Sequence, residues 1–238
     1  GEYAGGMTLE YEIRPEATWD NGTPITAEDY IFALKIVKNP KVSGAASIRP
    51  YLEFIDHVEV DPDNPKKFTV YSKDRYIMAE SFSGYYVYPR YHYDPDGLMD
   101  EFTVKELNDP ANRERLIADE KINEFAAQFE SEKYQREAGW VVGSGPYEFI
   151  QWKTGQYITL KRKENWWGDQ VDETVLTANP DVVEYKIIND QTAAVTDLKD
   201  EGIDVQRSIQ PKQFEDLQVN ERFKKLYNLH APLAYSYT

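Results

Sequence analysis

The chain has 238 residues, enough for one large domain or two modest ones with a real core. Forty-two acidic against 27 basic side chains give a net charge of −15, a field that repels phosphate backbones and anionic lipid and argues against nucleic acid as a partner. Cysteine is absent, which removes disulfides, iron–sulfur clusters, thiolate zinc sites and cysteine nucleophiles together.

The composition, 41% hydrophobic and 29% charged, is that of a folded globular protein. No apolar run approaches the roughly 18 residues of a membrane-spanning helix. No signal peptide is evident. The chain opens on Gly1-Glu2-Tyr3 and closes on Tyr235-Ser236-Tyr237-Thr238, an aromatic run that reads as the middle of a strand, so an excised fragment is expected.

Residues 7–14 alternate, with Met7, Leu9, Tyr11 and Ile13 on one side, and predict a half-buried strand ended by Pro15. Residues 54–60 and 67–71 alternate around the turn residues Asp61-Pro62-Asp63-Asn64-Pro65, so a small antiparallel sheet of three strands is expected. A helix follows the Asn21-Gly22 turn. Thr26 caps it, Asp29 stands at the capping-box position, and Ala27, Tyr30, Ile31, Leu34 and Val37 share a face up to Asn39-Pro40. A short helix is expected within 74–83, an aromatic loop or strand over 85–89, and a long connection with one short helix over 91–115. A longer helix is expected from Asp119 to Glu137.

The character changes near Gly139, and 136–141 is the expected domain boundary. Residues 147–162 predict a hairpin around Lys153-Thr154-Gly155, and 182–188 a strand. Asp190 caps a helix through Asp200, with Gly202 as the expected left-handed residue after it. Ile203–Val205 reads as a short strand, 211–218 as a short helix and 224–230 as another strand. This order predicts a mixed α/β fold.

Catalytic patterns are absent. His57, His92 and His230 lie at no metal-ligand spacing. Gly143-Ser144-Gly145 fails as a nucleophile elbow, because Val142 and Pro146 stand where Gly is needed, and it fails as a dinucleotide fingerprint. The pairs Asp61/Asp63 and Asp94/Asp96 sit among turn residues without the order of a calcium loop and read as solvated turns. No catalytic residue, metal ligand or cofactor is assigned. The chain holds 18 Tyr and 5 Trp, and tyrosine offers apolar area and one hydrogen bond at low entropic cost, which suits a ligand wall.

Four motifs stand out in order: Trp19-Asp20-Asn21-Gly22-Thr23-Pro24-Ile25-Thr26-Ala27-Glu28-Asp29; Gly143-Ser144-Gly145-Pro146-Tyr147; Asn165-Trp166-Trp167-Gly168; and Ile188-Asn189-Asp190 leading to Leu198 and Gly202-Ile203-Asp204. Together they resemble the extracytoplasmic solute-binding proteins of family 5, the oligopeptide/dipeptide class that serves ABC transporters. Two departures are small: one residue fewer before Trp166-Trp167-Gly168, and Glu201-Gly202 in inverted order.

The resemblance implies a type II periplasmic-binding-protein-like fold, here partial. Residues 1–135 would be the additional domain of this class and 136–238 part of the first α/β lobe, with the second lobe missing. It implies a non-catalytic, monomeric binding component outside the cytoplasmic membrane, periplasmic or lipid-anchored. Such a component closes over a peptide or other small solute and docks on a membrane permease. Tyr85, Tyr86, Tyr235 and Tyr237, with Ser144 and Gly145, are the implied ligand contacts, while the five tryptophans are assigned to packing. Oligosaccharide or metal-chelate cargo, a carbohydrate-active enzyme and a sensory domain are the competing readings.

Overall fold

The computed structural model describes residues 5–224. Two compact units result: the first takes residues up to Trp152 together with Thr159–Val183, the second Lys153–Ile158 and the chain from Glu184 on.

The first unit begins with β1 (Met7–Glu12) and includes β2 (His57–Val60) and β3 (Lys67–Ser72), an antiparallel sheet in the order β1-β3-β2. Its register explains its core face. Leu9 and Val58 both stand opposite Val70, and Tyr11 and Val60 both stand opposite Phe68, so two apolar rows run across three strands. Phe68 and Val70 are buried. The expected turn closes β2 onto β3, with Asp61 Oδ1 accepting the backbone N–H of Asp63 (2.8 Å) and Asn64 (3.0 Å).

Helix α1 (Ala27–Lys38) lies on that face, with the ring of Tyr30 stacked on Phe68 at 4.7 Å. The Thr26 N–H donates to Asp29 Oδ2 at 2.9 Å, which satisfies one of the free donors at the helix start. On the other side of α1, Phe32 meets Phe125 edge-on at 5.8 Å. The chain continues through α2 (Ala79–Ser83), the aromatic loop over 85–89, α3 (Arg90–Tyr93), α4 (Val104–Asn108) and α5 (Arg113–Ala118). Residues 91–115 are thus more helical than expected. Thr103 Oγ1 accepts the Glu106 N–H and starts α4, a cap too short-ranged to carry a clear period.

The helix expected over 119–137 is two: α6 (Glu120–Phe129) and α7 (Glu132–Arg136). Asp119, expected as the first helical residue, is instead the cap of the first, accepting the Ile122 N–H. The break follows Glu130, whose carboxylate accepts the Ser43 hydroxyl at 2.9 Å and the Gly44 N–H at 2.6 Å, while Ser131 is extended and leads α7.

The predicted hairpin forms as β4 (Tyr147–Lys153) and β5 (Tyr157–Arg162), joined by β6 (Val182–Lys186) in the order β4-β5-β6. In the second unit α8 (Gln191–Lys199) is capped by Asp190, which accepts the Ala193 N–H at 2.7 Å. The left-handed residue after α8 is Glu201 (φ 61°) rather than Gly202. Gly202 lies close to the end of the Asp197 side chain, where a Cβ would stand 2.2 Å from Oδ1 unless that carboxylate moved. Residues 203–205 form no strand. Helices α9 (Pro211–Val219) and α10 (Glu221–Lys224) follow, and Leu217 and Phe223 bury against Val195. The strand expected to begin at Lys224 falls otherwise outside the described residues.

Candidate functional site

The first three sequence motifs meet in the first unit. In the Trp19–Asp29 segment, Trp19 and Thr23 close a turn (Trp19 N–H to Thr23 O, 2.8 Å) in which Gly22 takes the positive φ of 80° that a side chain would resist. Trp19 is 3% exposed, and its indole N–H donates to Asp29 Oδ2 at 3.2 Å. Burial raises the Asp29 carboxyl above the usual range, while hydrogen bonds from Thr26 and Trp19 oppose that shift.

Lys163 links this turn to the second motif, its ammonium lying 2.7 Å from both Asp20 Oδ1 and Gly143 O. One residue on, the Ser144 carbonyl accepts the indole N–H of both Trp166 (2.8 Å) and Trp167 (3.1 Å). Trp167 also packs against the buried cluster of Ala17, Trp19 and Ile25. Gly168 completes the third motif for a steric reason: a Cβ there would lie 2.3 Å from the Trp166 ring. This junction therefore satisfies its polar groups internally. Gly143 and Gly145 face open space, with nothing within 4 Å of a Cβ at either position, so neither is demanded by a close approach of backbone.

The chief concave feature of the first unit is a groove of about 910 Å³. Tyr85, Tyr88, Tyr93, Tyr134 and Trp152 supply its aromatic walls, with Glu130 and Arg136 among its charged groups. Tyr93 is fixed by donating its hydroxyl hydrogen to Val142 O at 3.1 Å. Tyr88 stands edge-on to Tyr93 and to Phe129. The Arg136 guanidinium lies over the Trp152 ring at 4.1 Å. Burial pushes the Tyr85 and Tyr93 phenols up to about 12, so both stay neutral hydrogen-bond donors at any physiological pH.

Of the six residues assigned from sequence, Tyr85 lines this groove. Tyr86 stands beside it, edge-on to Tyr85 at 5.3 Å and 75% exposed. Ser144 and Gly145 belong to the tryptophan junction and do not line the groove. Tyr235 and Tyr237 lie outside the described residues. Sequence reading missed Tyr88, Tyr93 and Tyr134 as groove residues. The density of aromatics from 85 to 93 was the available signal for the first two. Trp152, read as packing, is 37% exposed at the groove wall; Trp19 and Trp166 pack as expected.

The two histidines among the described residues are occupied locally, and His230 lies outside them. His92 Nε2 lies 2.8 Å from Trp140 O, and the His57 ring lies between Asp56 and Glu59. Asp94 is buried and accepts the N–H groups of Leu98 and Met99, a turn rather than an ion ligand. Among the described residues no cluster of three or more His, Cys, Asp or Glu is placed to hold a metal, and no helix is long and apolar enough to cross a membrane.

The mixed sheets and helices define one section of a type II periplasmic-binding-protein fold, and solved structures of that kind resemble the chain over about a third of their own length. The model of the bacterial extracellular solute-binding proteins, family 5, matches residues 2–238, and the chain belongs to that family. It is 23% identical over 187 residues to the dipeptide-binding protein DppE of Bacillus subtilis, covering 77% of this chain and 29% of that protein. Among solved structures it resembles an oligopeptide-binding protein of Thermus thermophilus complexed with a pentapeptide (TM-score 0.56, 19% identity, 93% of this chain and 35% of that one). It also resembles NikZ of Campylobacter jejuni in complex with Ni(L-His) (TM-score 0.55, 22% identity, 84% and 31%). The chain thus spans about 29% of the length of the curated relative DppE.

Proposed function

We propose that this chain is part of the substrate-binding component of an ABC importer, which captures oligopeptides outside the cytoplasmic membrane and delivers them to the permease. Family membership over residues 2–238 is the observation that carries this reading. The names of DppE and of the Thermus protein's pentapeptide complex support peptide as cargo. In this reading residues 1–135 are the additional domain of the class and 136–238 part of its first lobe. The protein is monomeric and non-catalytic, periplasmic or held to the membrane by an N-terminal lipid. In this reading Tyr85, Tyr86, Ser144, Gly145, Tyr235 and Tyr237 are the ligand contacts; of these Tyr85 lines the groove, and the tryptophan junction that holds Ser144 would meet ligand apart from it. Tyr85 brings a protonated phenol and an aromatic face to a groove of a size suited to small ligands.

A second cargo reading is an oligosaccharide, favoured by the ring-lined walls, on which sugar faces would stack. A thermal-shift screen of the complete gene product against peptides, glycans and metal chelates separates the readings. Peptides are expected to raise the Tm, and Tyr85→Ala to weaken the best of them roughly tenfold, the loss of one packed aromatic contact. Stabilisation by glycans alone would overturn the peptide assignment. Turnover of any bound compound would overturn the non-catalytic one.

A further inference from the structure

A second cavity, about 340 Å³, lies where the end of α1 meets the segment from Leu107 to Leu116, and it shares no lining residue with the aromatic groove. In a chain of net charge −15, three of its lining residues are cations: Lys38, Arg49 and Arg113. Lys38 is 3% exposed, yet its ammonium donates only to neutral oxygens, Leu52 O at 2.8 Å and Asn108 Oδ1 at 2.5 Å. No carboxylate makes an ion pair with it among the described residues. Glu53 and Asp56 favour its charge only through space.

Arg49 spends its Nε and Nη2 hydrogens on the carbonyls of Val37, Asn39 and Val42. Its Nη1 engages no acceptor among the described residues. Arg113 is exposed, and its charge opposes that of Arg49. Two carboxylates, Glu53 and Asp109, also line the cavity; one oxygen of Asp109 accepts the Ala111 N–H at 2.9 Å, and neither group forms an ion pair with the three cations among the described residues, so the cations outnumber the anions by one. A buried ammonium without a contacting counter-charge is costly, and so are two guanidinium groups that oppose each other.

We infer that this cavity is a binding site for a small oxyanion, an inorganic phosphate or a short dicarboxylate. The oxyanion would receive the free fork of Arg113, the Nη1 of Arg49 and the field of Lys38. Guanidinium groups match such oxygens with paired hydrogen bonds, and the volume sits at the lower end of the range for small-ligand sites. This site is independent of the cargo assigned to the groove.

The test is titration of the protein at pH 6, where Lys38 carries its charge, with sodium phosphate and, separately, with succinate. Ionic strength is held constant with sodium chloride, and binding is followed by calorimetry and backbone chemical shifts. Saturable binding of at least one of the two is expected, with shifts centred on Asn108 to Arg113. Arg113→Gln should weaken it roughly tenfold or more, as loss of charge-assisted hydrogen bonds does, with Arg113→Lys between the two. Lys121→Gln, an exposed residue paired with Glu101, should leave it unchanged. The stronger of the two anions identifies the source. If neither binds saturably, or if Arg113→Gln binds as tightly as the parent, the proposal is wrong.

Discussion

Among the described residues the two units differ in the size of their buried cores. In the first, Phe32, Leu34, Leu52, Ile55, Ile122 and Phe125 are each no more than 2% exposed and belong to one continuous core. In the second, the core is built on Val195, Leu217 and Phe223, while Tyr185, Ile187, Val205 and Val219 remain 58%, 37%, 77% and 76% exposed. The first unit has the larger buried core, although Ile77, Tyr86 and Val175 on it are exposed. The second carries good local signals, an Asp cap and helix-opening Pro211, with little buried area behind them. Capping fixes where a helix starts, but burial decides how firmly it is held.

Four measurements bear on that contrast. The largest effect is expected from Phe125→Ala, which empties a site against Phe32 and Phe129 and should destabilise the first unit by about 3–5 kcal/mol. Leu217→Ala in the second unit should cost about 2–4 kcal/mol. In denaturant each is expected to move a different transition. A single shared transition for both would end the distinction between the units.

Next comes Lys38, whose burial lowers its ammonium from 10.5 to about 7. Below about pH 7 the group is charged in both states and the desolvation penalty is fully present. Between there and 10.5 the unfolded chain holds more protons, so stability rises with pH, at most by about 1.4 kcal/mol per unit. Chemical denaturation from pH 7 to 9 should show this rise for the first unit, and Lys38→Met should remove it. Third, Gly168→Ala would drive a methyl into the Trp166 ring and cost about 1–3 kcal/mol, read as loss of near-UV circular dichroism from the tryptophan pair. The smallest effect should come from Glu201→Gly, which relieves a left-handed φ of 61° after α8 and should stabilise that helix by about 0.5–1 kcal/mol. Slower amide exchange in the last turn of α8 would register it.

What the sequence revealed was local in cause. The alternation of residues 7–12, the Asp61–Pro65 turn, the placement of Thr26 and Asp29, and the Asp190 cap each arise within a few residues. What it concealed came chiefly from far along the chain. The helix after Asp119 ends at Phe129, and the next residue, Glu130, is engaged by Ser43 and Gly44, some 87 positions away. The left-handed residue after α8 is Glu201 rather than Gly202, a miss by one position within a local turn. The groove was half legible for the first of these reasons. Tyr85 lies in an evident aromatic run, whereas Tyr134 and Trp152 reach it only through the packing of α7 and β4.

Lys163 bridges Asp20 and Gly143, Ser144 holds both tryptophans, and Trp167 rests on the cluster around Trp19. Three sequence motifs, the first more than a hundred positions from the other two, are thus a single physical object. Their co-occurrence in a newly sequenced chain should be weighed as one correlated test rather than three independent coincidences. A chain that keeps two of them while losing the third should be inspected for a compensating change at the position equivalent to Lys163, before distant ancestry is invoked to explain the gap.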